Sequence, residues 1–282
     1  MDVDISLLDW AAIMARYDTF LVDLVGVVYN GIDAFPEAIA ALNQFPQNKN
    51  LIFVSNNPRP SELSLKKLQS FKVKPSFTVV TSGDFTKHNL DLDQEATYYH
   101  WGTERNTDIL KGIDIKITDT LPQADKVLLT AFIEAEEDES QFDALIDQIL
   151  ARKLPVFCAN PDRFAFYGKE IRKCAGYFAD KLIAKGGEVT MWGKPNKSLY
   201  DFVGTKFPEA TVDKKRCLMI GDTLETDILG AQHYGIDSLL VLSGITGALR
   251  QKKMLFSHAP LADIHPTYIW NHLGSAEPIY VQ

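Results

Sequence analysis

The chain has 282 residues, of which 46% are hydrophobic and 23% are charged, a composition typical of a globular protein with one large or two ordinary domains. Its net charge of −8 and its lack of a basic cluster disfavour nucleic acid and anionic membranes as partners. The sequence shows neither signal-peptide features nor an apolar run of the roughly 18 residues that a membrane helix needs. Three scattered cysteines favour free thiols, so we expect a cytoplasmic protein.

The first part of the chain alternates short apolar runs with helical patterns, which is typical of a parallel sheet. Pro36 opens a helix at a position that tolerates proline. The other predicted elements are a helix at Leu7–Arg16, strands at Thr19–Val22 and Leu51–Val54, a helix at Ser61–Phe71 and a strand at Phe77–Val80.

The pattern changes after about Asp93 and returns after Gly187. In between, helices alternate with short strands predicted at Thr97–Trp101, Ile115–Thr118, Val127–Thr130 and Val156–Ala159. Beyond this segment, Cys217–Ile220 and Leu239–Leu242 are predicted as buried strands. We therefore predict an α/β fold in which residues 1–93 and 188–282 form a Rossmann-like parallel-sheet core and residues 94–187 form an inserted α/β domain.

Polar side chains stand where the predicted buried strands end. Asp23, Ser55 with Asn56, and Asp222 each follow or close an apolar run, and Asp227 lies about one helical turn beyond Asp222. In an open parallel sheet, ligands bind outside the carboxyl ends of the strands, so we expect these side chains to converge.

This set of residues suits phosphate chemistry. Asp23 and Asp222 can hold Mg²⁺, which prefers oxygen ligands. Ser55 and the amides of Asn56 can donate hydrogen bonds to phosphoryl oxygens, and Lys194 can supply a fixed positive charge. The Asp23 carboxylate can then take the phosphoryl group as an acyl phosphate that water hydrolyses.

Each of these residues alone also has a structural explanation. An aspartate at a strand end is often a turn or cap residue, Ser55–Pro58 can be a helix-capping turn, and most lysines are solvated. The most specific segment is Gly221–Asp227, because a buried strand that leads into two spaced acids has few structural uses. The prediction rests on the whole set in this order.

Four segments resemble the motifs of the haloacid dehalogenase superfamily, and the resemblance covers essentially the whole chain. They are Phe20–Gly31, the Ser55-Asn56 strand end, Gly193–Pro195 and Gly221–Asp227. The Tyr29-Asn30-Gly31 extension, the doubled Asn56-Asn57 and the insert after the second motif are similar to subfamily IIA. That subfamily includes NagD-like sugar phosphatases, para-nitrophenylphosphatases, and phosphoglycolate and pyridoxal phosphate phosphatases.

The resemblance implies a role for each matching position. Asp23 would be the nucleophile, assisted by Lys194. Mg²⁺ would bind to Asp23, to the backbone carbonyl of Val25 and to Asp222, with Asp227 supporting these ligands from behind.

The substrate would be a small phosphorylated metabolite, such as a sugar phosphate. Its contacts would come from Ser55, Asn56, Asn57 and Lys194 in the core and from Asn160 and Asp162 in the insert. The insert would be a cap that closes over the site, and members of the subfamily often form homodimers through it.

Val25 departs from the family pattern, which usually has a second aspartate there as general acid and base. Such catalysis typically contributes about 10²–10⁴-fold. Three explanations are open: the leaving group departs without a proton, another acid such as Asp162 substitutes once the cap closes, or the protein binds a phosphometabolite with Mg²⁺ and turns it over weakly or not at all.

Other readings fit the sequence less well. A receiver-type domain has about 120 residues, within the usual domain range, and carries an acidic pair that is absent before Asp23. No G-x-G-x-x-G follows the first strand, and a dehalogenase needs neither Mg²⁺ nor both distal acids. Aromatic residues in the insert predict core packing more strongly than substrate stacking; they are Tyr98, Tyr99, Trp101, Phe164, Phe166 and Tyr167.

Overall fold

The structure, a computed structural model, describes residues 10–90, 94–134, 137–211, 213–251 and 263–275. The strands are β1 (Thr19–Val22), β2 (Asn50–Ser55), β3 (Thr78–Thr81), β4 (Thr97–Gly102), β5 (Lys116–Thr118), β6 (Lys126–Thr130), β7 (Phe132–Glu134), β8 (Val156–Cys158), β9 (Phe164–Tyr167), β10 (Glu170–Cys174), β11 (Val189–Met191), β12 (Cys217–Gly221), β13 (Asp237–Val241) and β14 (Tyr268–Trp270). The α-helices are α1 (Trp10–Arg16), α2 (Pro36–Leu42), α3 (Ser61–Ser70), α4 (Ser82–Leu90), α5 (Asp143–Ala151), α6 (Ala175–Ala184), α7 (Lys197–Lys206), α8 (Pro208–Thr211), α9 (Leu229–Tyr234) and α10 (Ile245–Gln251).

The larger sheet has six parallel strands in the order β14-β13-β12-β1-β2-β3. β1 lies in its interior, with Val22 opposite Ile220 of β12 on one side and Phe53 of β2 on the other. Every β1 residue is buried because packed helices cover both faces of the sheet. The carboxyl ends of β1, β2 and β12 therefore meet at one edge.

Alternate residues of β1 enter two different cores, as the two-residue period of a strand requires. Phe20 and Val22 pack with Ile13 of α1 in one apolar cluster. Leu21 packs with Leu199 of α7 in a second cluster on the opposite face. This double burial explains why the strand reads as a continuous apolar run.

The second sheet system belongs to the middle of the chain. Five parallel strands in the order β11-β8-β6-β4-β5 form one sheet, and β7, β10 and β9 form a small antiparallel sheet. The chain thus has the predicted α/β architecture of a parallel-sheet core with a second α/β unit. The division at 93/94 and 187/188 stays a prediction, and the strands of the second system run from Thr97 to Met191.

The predicted strands agree with the structure to within one or two residues. Helix α1 begins at Trp10, and the start of the predicted helix at Leu7 lies outside the described residues. Of the aromatic residues in the insert, Tyr98 and Trp101 are buried in cores, as predicted. Phe166 and Tyr167 instead line a cavity at the site, so the core-packing prediction was wrong for these two.

The three cysteines are buried free thiols, as predicted: Cys158, Cys174 and Cys217. No helix within the described ranges combines the length and the apolar character that crossing a membrane requires.

Substituting Phe20 tests the importance of β1 packing. Phe20 is fully buried, and its ring lies 4.8 Å from that of Phe45. We expect Phe20→Ala to lower the free energy of unfolding by about 3–5 kcal/mol, because it leaves a cavity in the core. Ile183→Ala, at a side chain with 48% exposure, should change it by less than about 0.5 kcal/mol. Equal losses in chemical denaturation would contradict the assignment of this core.

Candidate active site

Three strand ends bring the predicted site residues together. The backbone N–H of Asp23 donates to the Ile220 carbonyl at 2.8 Å, which continues the β1–β12 pairing by one residue. Ser55 closes β2 on the other side, and Asp222 follows β12 directly. Asp23, Ser55 and Asp222 are all buried.

Lys194 lies beneath these strand ends and is only 1% exposed. Its Nζ donates to Asp23 Oδ1 and Asp227 Oδ1, each at 2.6 Å, and to the Val54 carbonyl at 2.8 Å. These three acceptors use all three N–H bonds of the ammonium group. Lys194 therefore holds two buried carboxylates in place, and its predicted direct contact with a phosphoryl group stays a prediction.

Asp227 is committed to the protein through both carboxylate oxygens. Oδ1 accepts from Lys194, and Oδ2 accepts from the backbone N–H groups of Asp222 and Thr223, each at 3.1 Å. This arrangement fixes the turn after β12 and agrees with the supporting role that the resemblance implies. Asp222 itself accepts a 2.6 Å hydrogen bond at Oδ2 from the backbone N–H of Ile245.

Two glycines permit the backbone to approach the Asp222 carboxylate. Gly26 has a φ of +92°, and a Cβ there would lie 2.3 Å from Asp222 Oδ2. A Cβ at Gly244 would lie 1.9 Å from the same oxygen. A larger residue at either position would displace the carboxylate.

Burial dominates the electrostatics of the site. It raises the pKa of Asp222 well above its ordinary value, and the neighbouring carboxylates of Asp227 and Asp23 raise it further. Burial likewise raises the pKa of Asp23, although the Lys194 ammonium acts in the opposite direction. For Lys194, burial lowers the pKa, but Asp227 and Asp23 outweigh burial, so its pKa lies above the ordinary lysine value.

The acidic cluster fits a hard divalent cation. Carboxylate oxygens of Asp23, Asp222 and Asp227 lie within 4.8 Å of one another, and Asp227 supports the cluster while its own oxygens are held by the protein. One ammonium group cannot neutralise three carboxylates, and after burial the charges of Asp227 and Asp23 are the next causes of the raised pKa of Asp222. Oxygen ligands of this kind suit Mg²⁺ or Ca²⁺.

The segment after β2 connects the core to the second unit. Asn56 accepts from the Lys194 backbone N–H at 2.7 Å and donates through Nδ2 to Asp162 at 2.8 Å. The Asn56 side chain is therefore engaged in hydrogen bonds within the protein, and the backbone amide of Asn56 is the group left for the predicted phosphate contact. Asn57 donates through its backbone N–H to Ser55 Oγ at 3.2 Å, so the Ser55 hydroxyl keeps its own proton for another acceptor.

Asp162 reaches the cavity from the second unit, and its contact with substrate stays a prediction. Asn160 orients its loop by accepting from the Asp162 backbone N–H at 3.1 Å. Burial raises the pKa of Asp162 to about 6, against the opposing effects of Lys194 and of the hydrogen bond from Asn56. A carboxyl with this pKa exchanges protons near neutral pH.

A cavity of about 130 Å³ opens above Asp23 between the core and the second unit. Predicted residues line one part of it: Asp23, Val25, Ser55, Asn57, Asn160 and Asp162. Val25 thus lines the cavity, and its replacement of a general acid stays a prediction. The cavity is also lined by Ser64, Lys67 and Arg105, which the sequence analysis missed. In the sequence, only the three-residue spacing of Ser64 and Lys67, which makes them neighbours on the surface of α3, relates two of these three residues.

Comparison with known protein families identifies the chain. Residues 20–116 match a family model described as haloacid dehalogenase-like hydrolase, and residues 191–276 match one described as HAD-hydrolase-like. A haloacid dehalogenase-like hydrolase from Brucella suis 1330 superposes with a TM-score of 0.83 at 29% identity, over 94% of this chain and 98% of that one. The chain belongs to the haloacid dehalogenase superfamily.

Named relatives of this superfamily member include phosphatases of the type found in subfamily IIA. An acid sugar phosphatase from Staphylococcus haemolyticus is 24% identical, over 93% of this chain and 96% of that protein. A glycerol phosphate phosphatase from Mycobacterium tuberculosis, crystallised with magnesium, superposes with a TM-score of 0.66 at 24% identity, over 94% of this chain and 78% of that one. The chain spans about half the length, 46%, of a Caenorhabditis elegans relative.

Thermal unfolding with and without Mg²⁺ tests the acidic cluster. We expect Mg²⁺ at about 100 times its Kd to raise the Tm by about 5 °C, because the ion binds the folded state and neutralises the carboxylates. Without metal at pH 7.5, Asp222→Asn should melt above the wild type, because it removes a buried charge whose pKa is raised. The same variant should lose the response to Mg²⁺. The exposed Asp147→Asn should keep that response, and an unchanged response in Asp222→Asn would exclude this metal site.

Proposed function

We propose that the protein is a Mg²⁺-dependent phosphatase that acts on a small phosphorylated metabolite through an aspartyl-phosphate at Asp23. The observation that carries this proposal is the state of the Asp23 carboxylate. Its Oδ1 is held by Lys194, whereas its Oδ2 accepts no hydrogen bond from any described residue. An oriented carboxylate with one free oxygen beside a cavity is arranged for nucleophilic attack.

In the proposed reaction, Asp23 Oδ2 attacks the phosphorus atom and the bond from phosphorus to the leaving oxygen breaks. Bound Mg²⁺ supplies charge neutralisation that allows the anionic substrate to approach the carboxylate. The hydroxyl of Ser55 and the backbone amide of Asn56 donate to phosphoryl oxygens. Water then attacks the acyl phosphate at phosphorus, which releases inorganic phosphate and regenerates the Asp23 carboxylate.

The leaving oxygen departs with an electron pair and, in an alkyl ester, needs a proton. Val25 cannot supply one, so we assign this task to Asp162, which lines the cavity beside Val25 and has a pKa of about 6. Because Asp162 comes from the second unit, proton delivery depends on that unit packing over the core. Aryl phosphates, acyl phosphates and anhydrides depend less on this proton.

The proposal also covers the size of the substrate, the location of the protein and its oligomeric state. The cavity volume of about 130 Å³ supports a small molecule as substrate, and named relatives act on sugar phosphates and glycerol phosphate. A cytoplasmic location and a homodimer formed through the cap are further parts of the proposal.

The nucleophile is tested with para-nitrophenyl phosphate, an activated ester. Asp23→Asn should lower the Mg²⁺-dependent kcat by at least about 10³-fold, because an amide oxygen is a poor nucleophile and cannot form the acyl phosphate. The exposed Asp147→Asn should retain wild-type turnover. Wild-type activity in purified Asp23→Asn would remove Asp23 from the mechanism.

The source of the proton is tested by comparing alkyl and aryl phosphates. Val25→Asp should raise kcat/KM for alkyl phosphates by about 10–100-fold and for aryl phosphates much less, because only the alkoxide needs protonation. Val25→Asn, which has the same shape without the acid, should give no such gain. Asp162→Asn should lower alkyl turnover selectively.

Wild-type alkyl turnover should also fall as the pH rises through about 6, since Asp162 must be protonated to act. The pH profiles of wild type and Asp162→Asn, measured on one alkyl and one aryl phosphate, provide the measurement. Parallel losses on both ester types in Asp162→Asn would show that Asp162 is not the proton donor.

A further inference from the structure

The cavity has a second wall whose chemistry is opposite to that of the catalytic end. The catalytic end carries the carboxylates of Asp23 and Asp162, whereas the other wall contains Lys67 and Arg105. Lys67 is the seventh residue of α3, so it lies about 9 Å along the helix axis from Ser61, the first residue of that helix. Within the described residues, neither cation takes part in the hydrogen-bond network of Asp23, Lys194 and Asp162.

Lys67 has no carboxylate partner among the described residues. Its half-buried Nζ donates to the Gly31 carbonyl at 2.5 Å and lies 4.8 Å from the centre of the Tyr29 ring. Burial lowers the pKa of Lys67, and the positive charges of Arg105 and Arg59 contribute to the lowering, whereas Asp33 acts in the opposite direction. The ammonium group thus sits in a cation-rich setting that a bound anion would relieve.

Arg105 shows the same lack of an anionic partner. Its guanidinium lies over the rings of Tyr167 and Phe132, with 4.9 and 5.3 Å from its central carbon to the ring centres, and it forms no ion pair with any described residue. Two nearby arginines differ. Arg59 is paired with Asp108, and Arg172 is paired with Glu134 and Glu170. Arg105 is exposed, and the aromatic rings contact the face of its guanidinium group, whereas its N–H donors have no acceptor among the described residues.

Ser64 and Tyr29 also line the cavity, and neither hydroxyl has a hydrogen-bond partner among the described residues. Ser64 is 3% exposed, and its Oγ has no partner within the described part of the chain. Tyr29 is 4% exposed, and its hydroxyl likewise bonds to no described residue. Buried polar groups are usually satisfied, so the unpartnered Ser64 hydroxyl beside unpaired cations indicates a ligand with acceptor oxygens.

We propose that Lys67 and Arg105, with the hydroxyls of Ser64 and Tyr29, bind a second anionic group of the substrate. This inference rests on the proposed phosphatase function and narrows its substrate class. The substrate is a small phosphate ester or acyl phosphate that carries a carboxylate or a second phosphate at the end remote from the transferred phosphoryl group. The catalytic end is rich in carboxylates and would repel this second anion, so it enters the basic end.

Binding of phosphonates tests the inference without requiring turnover, because their P–C bond is not an ester. The probes are meta- and para-phosphonobenzoate, and each is compared with its neutral phosphonobenzamide in the presence of Mg²⁺. Calorimetry on the wild-type protein should show at least one benzoate binding about tenfold more tightly than its benzamide, as expected for a charge-assisted contact.

Variants assign the preference to individual residues. Lys67→Gln and Arg105→Gln should each reduce the benzoate preference to within about twofold, and Arg105→Lys should retain part of it. Lys66→Gln is the matched control, because Lys66 is the exposed neighbour of Lys67 on the same helix and should leave the preference unchanged. Asp222→Asn should weaken benzoate and benzamide alike, since it acts at the phosphonate end.

The outcomes separate this inference from the proposed function. If benzoates and benzamides bind the wild type equally, the anionic subsite is excluded and the phosphatase proposal stands. If Lys67→Gln and Arg105→Gln keep the wild-type preference, the assignment to these residues is overturned. If no phosphonate binds the wild type, the phosphoryl site fails together with the inference. A repeat with phenylene bisphosphonates distinguishes a preference for a second phosphate from a preference for carboxylate.

Discussion

The site depends on one buried ammonium group shared between two carboxylates. Lys194 Nζ contacts Asp23 and Asp227 at 2.6 Å with almost no exposure to solvent. Removing one partner from such a network leaves an uncompensated buried charge, which is far more costly than the network is stabilising. The third acceptor, the Val54 carbonyl, belongs to β2. A single side chain thus links β1, β2 and the turn after β12, and the strand ends cannot separate without exposing these charges.

The same network couples the core to the second unit. The Asn56 side chain accepts a hydrogen bond from the backbone N–H of Lys194 and donates to the Lys194 carbonyl and to Asp162. One amide side chain therefore contacts both Lys194 and Asp162. A displacement of Asp162 would leave a buried amide donor unsatisfied, and this favours the arrangement in which the second unit packs over the cavity. The proposed replacement of a general acid by Val25 makes this coupling important, because Asp162 lines the cavity beside Val25 and comes from the second unit.

Much of the fold and the polar strand ends could be predicted from the sequence, and the reason is double burial. β1, β2 and β12 are covered on both faces, so each reads as an apolar run that stops at a polar residue. The contacts of Asn56 could not be predicted in this way, because the partner backbone at Lys194 is 138 positions away. The antiparallel pair β9 and β10 was missed because its residues are only half-buried and give no continuous apolar signal.

The two ends of the cavity together constrain how a substrate can bind. The catalytic end attracts a phosphoryl group only when a bound cation offsets its carboxylates. Lys67 and Arg105 carry positive charges themselves and attract an anion without a bound metal ion. A metabolite with a single phosphate can therefore bind at the basic end and remain unproductive. A molecule with two anionic groups satisfies both ends in one orientation only, and this places its phosphoryl group beside Asp23. The charge distribution of the cavity thus favours bifunctional substrates through orientation as well as through affinity.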